Sequence, residues 1–372
     1  MRGFRRAPRD TWLEAPETPA AATARAAEPE SSAARADVPR RRWPGTKLGI
    51  AIVLGLVAAV SAAGIVGGRA LTPAVRATIP TASVPAPAPP KPRPRAPHWG
   101  PLAVKVVARF AAQGSSGGSA AAFAGGRLVV IAGVRDESVF AGKLGGELAR
   151  VANLAAPHES ACAFASGPSV YLIGGEGGAQ PNDLIIRIDP VSGHAFYGGV
   201  FGEPIAECGV AASAAGSYLV GGWTGQKYAT AILPLGASGA LGLLGRLPGG
   251  VRFPAVAFVG RRIYVAGGRT QAGLSRQIFA IDTRTGAVDS LGQLPHALER
   301  ALLVVSGSSL YLLGGEAAAG RALSSIVRID PANGTTSAAG RLPQPLAGAA
   351  SVEVGGHTLV VDPAAGLVYR VG

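Results

Sequence analysis

Close copies of one stretch of sequence recur along this chain at nearly constant intervals. Each copy carries a pair of glycines at the end of a short apolar run, with Ala132 replacing the first glycine in the first copy. The second glycine of the pair falls at Gly133, Gly175, Gly222, Gly268 and Gly315. Subtraction gives intervals of 42, 47, 46 and 47 residues. A period of about 40 to 50 residues with about four strands per repeat is typical of β-propellers.

The sequence of each copy predicts four β-strands. In the copy that spans Ser308 to Gly334, an apolar run ends at the glycine pair, a polar loop follows, and an alternating run stops at the turn Asp330 to Gly334. A further run ends at Leu342-Pro343 before the next copy begins. The second strand can be assigned six times, at 127–132, 169–174, 217–221, 262–267, 309–314 and 357–362. We therefore predict an all-β, six-bladed propeller, with seven blades as the alternative.

The details of the repeat resemble those of Kelch repeats. A tyrosine stands three residues before the first glycine in four copies, at Tyr171, Tyr218, Tyr264 and Tyr311. The Asp-x-x-x-Gly turn recurs at Asp189, Asp282 and Asp330, and Leu-Pro recurs at 247–248, 294–295 and 342–343. The resemblance covers about residues 103–372 and is divergent, because Ala195, Val288 and Thr336 stand where Kelch units usually have tryptophan. It implies a Kelch-like propeller, a fold that hosts binding modules and a few enzymes.

The two ends of the repeat region complement each other. The last copy ends with the run Leu367 to Val371 and has no fourth strand. Before the first copy stands the alternating segment Leu102 to Phe110, which has no blade of its own. An open ring would leave two sheet edges unpaired. We expect this segment to supply the missing strand and close the ring.

The 101 residues before the propeller divide into three segments. Residues 1–47 are rich in Ala, Pro, Glu and Arg and predict a disordered, basic tail. Leu48 to Gly68 is an uncharged run of 21 residues, long enough for one transmembrane helix. Residues 69–101 form a Pro-rich linker in which polyproline II is favoured over packed structure.

The charges around the apolar run predict its orientation. Arg40, Arg41, Arg42 and Lys47 precede it closely, so the positive-inside rule puts the N-terminus in the cytoplasm. We expect a retained signal anchor in the cytoplasmic membrane that displays the propeller outside, in a bacterial envelope. The alternative is a signal peptide cleaved near the small residues 60–62.

The charge of the chain does not indicate a nucleic-acid partner. The chain has 35 Lys and Arg against 22 Asp and Glu, a formal net charge of +13. These basic residues are spread over tail, linker and blades, without a basic stripe interleaved with aromatic residues. We expect partners in the envelope instead, either a protein or a glycan, together with the membrane itself.

Two sets of loops bring charged residues to one face of a propeller. The loops that lead into the first strands and the loops that follow the second strands emerge on the same side. They carry His158, Glu159, Glu207, Trp223, Arg252, Arg269, His296, Glu299, Arg300 and Glu316, together with Glu176. These residues predict a polar funnel for a ligand. The alternative is that glutamates and arginines of neighbouring blades pair with each other and seal the channel.

Signals of catalysis are weak. The five histidines show no metal-ligand spacing, and neither a nucleophile elbow nor a phosphate-binding loop is present. We predict neither a metal nor a cofactor. The sequence favours a binding module for a protein or glycan; the alternative is a carbohydrate-active enzyme of epimerase or lyase type. Convergence of the funnel residues would favour the enzyme, and pairwise salt bridges would favour the binding scaffold.

Cys162 and Cys208 occupy nearly matching positions in the first strands of adjacent repeats. Outside the cytoplasm a disulfide between them is chemically allowed. Equivalent first strands are close near the axis and distant near the rim, so the sequence leaves open whether the two thiols are bonded or packed as small apolar groups.

Overall fold

The structure, a computed structural model, describes residues 98–113, 118–131, 133, 136–213 and 215–372. These residues lie in one compact unit. The predicted tail, the predicted transmembrane run and most of the Pro-rich linker lie outside the described residues. Among the residues described, no helix combines the length and the apolar character needed to span a bilayer.

The described residues form six blades around an axis, each an antiparallel sheet of four or five strands. Strands are numbered along the chain, beginning with β1 (His98–Trp99) and β2 (Leu102–Arg109). Blade 1 contains β3 (Ala120–Ala124), β4 (Arg127–Ile131), β5 (Ser138–Gly142) and β6 (Ala149–Asn153). Blade 2 contains β7 (Cys162–Ser166), β8 (Ser169–Ile173), β9 (Leu184–Ile188) and β10 (Ala195–Val200). Blade 3 contains β11 (Gly209–Ser213), β12 (Gly216–Val220) and β13 (Ala231–Gly236), with its outer strand split into β14 (Gly239–Ala240) and β15 (Gly245–Arg246).

Blades 4 and 5 each insert a small hairpin after the second strand. Blade 4 contains β16 (Ala255–Val259), β17 (Arg262–Ala266), the hairpin β18 (Arg269–Thr270) and β19 (Gly273–Leu274), then β20 (Gln277–Asp282) and β21 (Val288–Gln293). Blade 5 contains β22 (Leu302–Ser306), β23 (Ser309–Leu313), the hairpin β24 (Glu316–Ala317) and β25 (Arg321–Ala322) around a 3-10 turn at Ala318–Gly320, then β26 (Ser325–Ile329) and β27 (Thr336–Arg341). Blade 6 contains β28 (Ala350–Val354), β29 (His357–Asp362) and β30 (Leu367–Val371).

The chain closes its ring as the sequence predicts. Strand β2 pairs antiparallel with β30 in blade 6, with Val104 opposite Val371 and Val106 opposite Tyr369. β1, which the sequence assigned to the linker, pairs with β2 as a fifth strand. The reason is the Trp99 side chain, which is buried with its ring centroid 4.7 Å from that of Tyr369.

The hydrophobic core lies in the seams between blades. The buried residues form six clusters, and each cluster joins two neighbouring blades. Successive side chains of each first strand point to opposite faces and so pack into both neighbouring seams. In β3, Ala121 packs against blade 6 and Ala120 packs against blade 2. The repeated tyrosines pack in these seams, and the Tyr264 hydroxyl donates to the Pro331 carbonyl of the next blade at 3.1 Å. Stability therefore depends on every blade contacting both neighbours.

The glycine pair is required where one blade docks against the next. In blade 5, Gly314 has φ +61°, and a Cβ there would overlap the carbonyl oxygen of Leu346 in the next blade's incoming loop. The N–H of Gly315 donates to that same carbonyl at 2.8 Å. A side chain at Gly314 would displace the acceptor of this hydrogen bond, which explains the repeated motif.

Candidate functional site

The incoming loop of each blade, which leads into its first strand, places one residue in the left-handed region at the mouth of the axial channel. These six mouth residues have φ between +50° and +70°: Gly118, Ser160, Glu207, Phe253, Arg300 and Gly348. The left-handed backbone conformation carries almost no penalty in conformational free energy for glycine, whereas for other residues the penalty is about 1–2 kcal/mol. Blades 1 and 6 use glycine there, whereas blades 2 to 5 do not.

Backbone hydrogen bonds join the mouth residues from blade to blade. The N–H of Ser160 donates to the carbonyl of Gly118 at 2.8 Å, and Glu207 donates to Ser160 at 2.8 Å. Phe253 donates to Glu207 at 2.7 Å. The same pattern continues through blade 5, where Arg300 donates to Phe253, and blade 6, where Gly348 donates to Arg300. This belt holds the side chains of Glu207, Phe253 and Arg300 side by side at the mouth.

Two guanidinium groups lie over the ring of Phe253. The Arg300 Cζ is 3.6 Å from its centroid and the Arg252 Cζ is 5.0 Å away. Arg252 also lies 5.6 Å from the ring of Tyr228, which packs edge-on against Trp223 at 5.4 Å. Cation–π attraction of this kind orients the arginines without using their N–H donors.

Among the described residues, three ion pairs join arginines and glutamates of the mouth loops in blades 3, 4 and 5. Arg269 donates to both carboxylate oxygens of Glu299, at 2.8 and 2.5 Å, in a bidentate pair. Arg300 Nε lies 3.7 Å from Glu316 Oε2, beyond hydrogen-bond distance. Arg252 Nε lies 2.7 Å from Glu207 Oε2, but both buried atoms lack a hydrogen bond of acceptable geometry. Of these three ion pairs, only Arg269–Glu299 is also joined by hydrogen bonds of acceptable geometry.

Glu207 is the least solvated of these carboxylates, with 6% of its side chain exposed. Burial raises its pKa to about 7, because the loss of hydration outweighs the attraction of Arg252 2.7 Å away. Glu176 lies close enough to raise this pKa further. The pKa of Glu176 is itself raised, first by burial and then by the Glu159 carboxylate, while Arg252 and Arg300 oppose the shift. Two of the carboxyl groups at the mouth thus hold protons more tightly than exposed glutamates do.

The raised pKa of Glu207 predicts a pH-dependent stability. Between its ordinary value of 4.5 and about 7, the folded state binds more protons at this site than the unfolded state. The free energy of unfolding should therefore fall as pH rises through this window and level off above it. Urea unfolding from pH 4 to 8 should show a smaller decline in Glu207→Gln. Parallel curves for the two proteins would contradict the assignment.

The axial channel behind the mouth consists of two cavities. The upper cavity, of about 140 Å³, is bounded by the mouth residues and the start of each first strand. The lower cavity, of about 400 Å³, continues along the first strands to the opposite face. The two share one ring of residues, the waist, formed by Ala121, Ala163, Val210, Val256, Leu303 and Ser351. The upper cavity has room for the end of a ligand, since pockets that enclose a whole ligand measure about 300–1,000 Å³.

A disulfide lies in the wall of the upper cavity. The structure joins Cys162 of blade 2 to Cys208 of blade 3, with Cα atoms 6.1 Å apart. This separation is within the usual range for disulfides. Cys208 directly follows Glu207, so the bridge anchors the mouth to the neighbouring blade.

The structure gathers most of the predicted funnel residues and separates the two histidines from them. Glu207, Arg252, Arg269, Glu299, Arg300 and Glu316 make the three ion pairs. Glu159 and Trp223 lie beside them, where their backbones bridge to Glu176 and Ala206. His158 does not line the funnel as the sequence predicts. Its side chain is buried, with Nδ1 2.8 Å from the Gly174 carbonyl, and it occupies the position of the buried Ile205 in the next blade. His296 is exposed and takes no part in the ion pairs.

Sequence reasoning missed Phe253 and Tyr228. Phe253 stands in the sequence between the predicted Arg252 and an ordinary Pro254, and only its left-handed φ of +50° turns it into the mouth. The sequence did contain a signal for Phe253, because this residue aligns with Glu207 and Arg300 when the repeats are superimposed. Across the described residues, no group of three or more His, Cys, Asp or Glu could hold a metal ion.

Comparison with known proteins supports the fold alone. No protein-family model and no curated protein sequence matches this chain. A solved structure titled "Structure of YjhT" is similar, with a TM-score of 0.58 and 14% sequence identity. The match covers 68% of this chain and 93% of that one. At this identity the likeness establishes a β-propeller, and function has to be argued from the site.

Proposed function

We propose that this propeller is a binding module that takes the end of a glycan into the mouth of its axial channel. One observation carries the proposal. At the same position of the repeat where blades 1 and 6 have glycine, Glu207, Phe253 and Arg300 hold left-handed backbone at a cost of about 1–2 kcal/mol each. Strained residues of this kind cluster at functional sites. All three residues line the upper cavity behind the mouth.

The chemistry of the mouth suits a neutral, hydroxyl-rich ligand. Five glutamates and three arginines surround it, so a ligand of either strong charge meets repulsion: Glu159, Glu176, Glu207, Glu299, Glu316, Arg252, Arg269 and Arg300. Sugar hydroxyls both donate to carboxylates and accept from guanidinium groups. The rings of Trp223, Tyr228 and Phe253 offer apolar faces for sugar C–H groups. Arg252 and Arg300, which make no side-chain hydrogen bonds to described residues, supply the donors.

The surrounding architecture fits a module displayed at the cell envelope. We infer a Kelch-type propeller that is held outside the cytoplasmic membrane by the apolar run 48–68 and the Pro-rich linker. The disulfide supports an exported location, since such bonds persist in oxidising compartments. A C-terminal alkaline phosphatase fusion tests the orientation: it should be active, and an inactive but stable fusion would overturn it.

Arg300→Gly tests the binding site. Glycine relieves the left-handed strain and removes the guanidinium group, so glycan affinity should fall at least about tenfold while the free energy of unfolding changes by less than about 1 kcal/mol. The measurement is a glycan array screen with the full chain, followed by calorimetric titration of the hits. Ala319→Gly is the matched control, because Ala319 also has left-handed backbone (φ +59°) and carries no charge.

The outcome separates three possibilities. Loss of affinity in Arg300→Gly with full affinity in Ala319→Gly supports the glycan site. A glycan that binds both variants equally well places the site elsewhere. If no glycan binds, and a protein partner captured by the wild type is lost in Arg300→Gly, the ligand class is wrong and the mouth binds a protein instead.

One observation favours an enzyme as the second candidate. The pKa of Glu207, raised to about 7 by burial, suits a general acid or base at neutral pH. A sugar held at the mouth would place a ring hydroxyl near this carboxyl. Turnover of a bound glycan by the wild type and its loss in Glu207→Gln, with binding retained, would identify an epimerase or lyase. The pairwise ion pairs favour the binding module.

A further inference from the structure

The lower cavity lies at the opposite end of the channel from the mouth. Its volume of about 400 Å³ is within the range of small-molecule sites. Small apolar side chains from the first strands line most of the wall, and Phe123 and Phe258 add aromatic surface. The described lining residues include one ionisable group, Glu353 of β28. An apolar wall with one charged group is the usual composition of a ligand site.

Glu353 is not part of the propeller repeat. The corresponding fourth positions of the other first strands are apolar: Phe123, Ala165, Ala212, Phe258 and Val305. Its cross-strand neighbour Thr358 replaces Leu128 of blade 1 and Leu310 of blade 5. The carboxyl has therefore been placed in blade 6 at a position that the fold fills with apolar side chains, and packing does not explain it.

Within the described part of the chain, this carboxyl receives one hydrogen bond and has no counter-ion. The Thr358 hydroxyl donates to Oε1 and accepts from the Val305 N–H at 3.1 Å. No Lys, Arg or His of the described residues forms an ion pair with Glu353. Burial raises the pKa of Glu353, and the Thr358 hydrogen bond only partly opposes the shift. A cation brought next to this group would meet the carboxylate oxygen that Thr358 does not bind, beside an apolar wall where charge-assisted hydrogen bonds are strong.

We propose that the lower cavity binds a small organic ammonium ligand, with its ammonium group on Glu353 and its apolar body against the alanine and phenylalanine walls. The ammonium donates to the second carboxylate oxygen, which Thr358 leaves free for a ligand. A metal ion is a poorer occupant, because the lining offers one carboxylate and few other oxygen ligands. None of the six mouth residues lines the lower cavity, so this site is distinct from the proposed glycan site.

Titration calorimetry with two nearly isosteric probes tests the proposal. The full chain is titrated with 2-phenylethylamine and with 2-phenylethanol at pH 7.5. The amine should bind with one site per chain and at least about tenfold more tightly than the alcohol. Glu353→Gln should abolish this preference, because the amide keeps the shape of the side chain and removes its charge. Glu147→Gln, an exposed carboxylate on blade 1, is the matched control and should leave the preference intact.

A second variant keeps the test decisive should Glu353→Gln alter folding. Ala212→Phe fills the cavity from blade 3 and leaves Glu353 in place, so it should weaken the binding of both probes. Equal affinity for amine and alcohol in the wild type, amine binding that survives Glu353→Gln, or the absence of binding by either probe would each overturn the proposal.

Discussion

We expect Val104→Asp to lower the free energy of unfolding by at least about 3 kcal/mol, because it buries a carboxylate in the seam that closes the ring. Val104 is 8% exposed and packs between blades 5 and 6. It lies in β2, which pairs with β30 and so ties the beginning of the propeller to its end. A charge there disturbs the pairing with β30 and weakens both seams that blade 6 makes.

The neighbouring residue provides the control. Lys105 lies in the same strand with its side chain exposed on the other face. Lys105→Asp introduces the same side chain with the same strand propensity, and we expect a change within about 0.5 kcal/mol. Urea denaturation of both variants measures the difference. Losses of less than about 0.5 kcal/mol in both variants would mean that β2 tolerates charge on either face and that closure contributes little to stability.

Replacing both cysteines by alanine should lower the free energy of unfolding by about 4 kcal/mol. The Cys162–Cys208 bridge spans 46 residues, and a crosslink over such a loop restricts the unfolded chain considerably. It also joins blades 2 and 3 beside the mouth, where Cys208 follows Glu207. Loss of the bridge should therefore weaken the seam and loosen the belt of mouth residues.

A reducing agent distinguishes the bond from the packing of the two side chains. Dithiothreitol should lower the unfolding midpoint of the wild type and leave that of the double alanine variant unchanged. If the wild type is insensitive to reductant while the variant is destabilised, the sulfurs contribute as packed apolar groups and the disulfide is not formed in solution.

Much of this fold could be predicted from the sequence, because a propeller repeats its local rules. The glycine pair, the Asp-x-x-x-Gly turn and the alternating runs are determined within one blade, where neighbouring strands are joined by short turns. The segment beginning at Leu102 could be assigned to the last blade because a strand was missing there. β1 was missed because pairing at Trp99 depends on contact with Tyr369, 270 residues further along the chain.

The site shows the same division. The periodicity of the repeat determined by itself that Glu207, Arg252, Glu299 and Arg300 belong to loops on one face. Only the tertiary structure decided three features of the site. These are the pairing of each glutamate with its arginine, the burial of His158, and the turn of Phe253 into the mouth. The physical reason is that these features depend on left-handed backbone and on distances between blades, both set by how the blades dock. The carboxyl of Glu353 is readable in the sequence, but only the closed ring encloses it in a cavity.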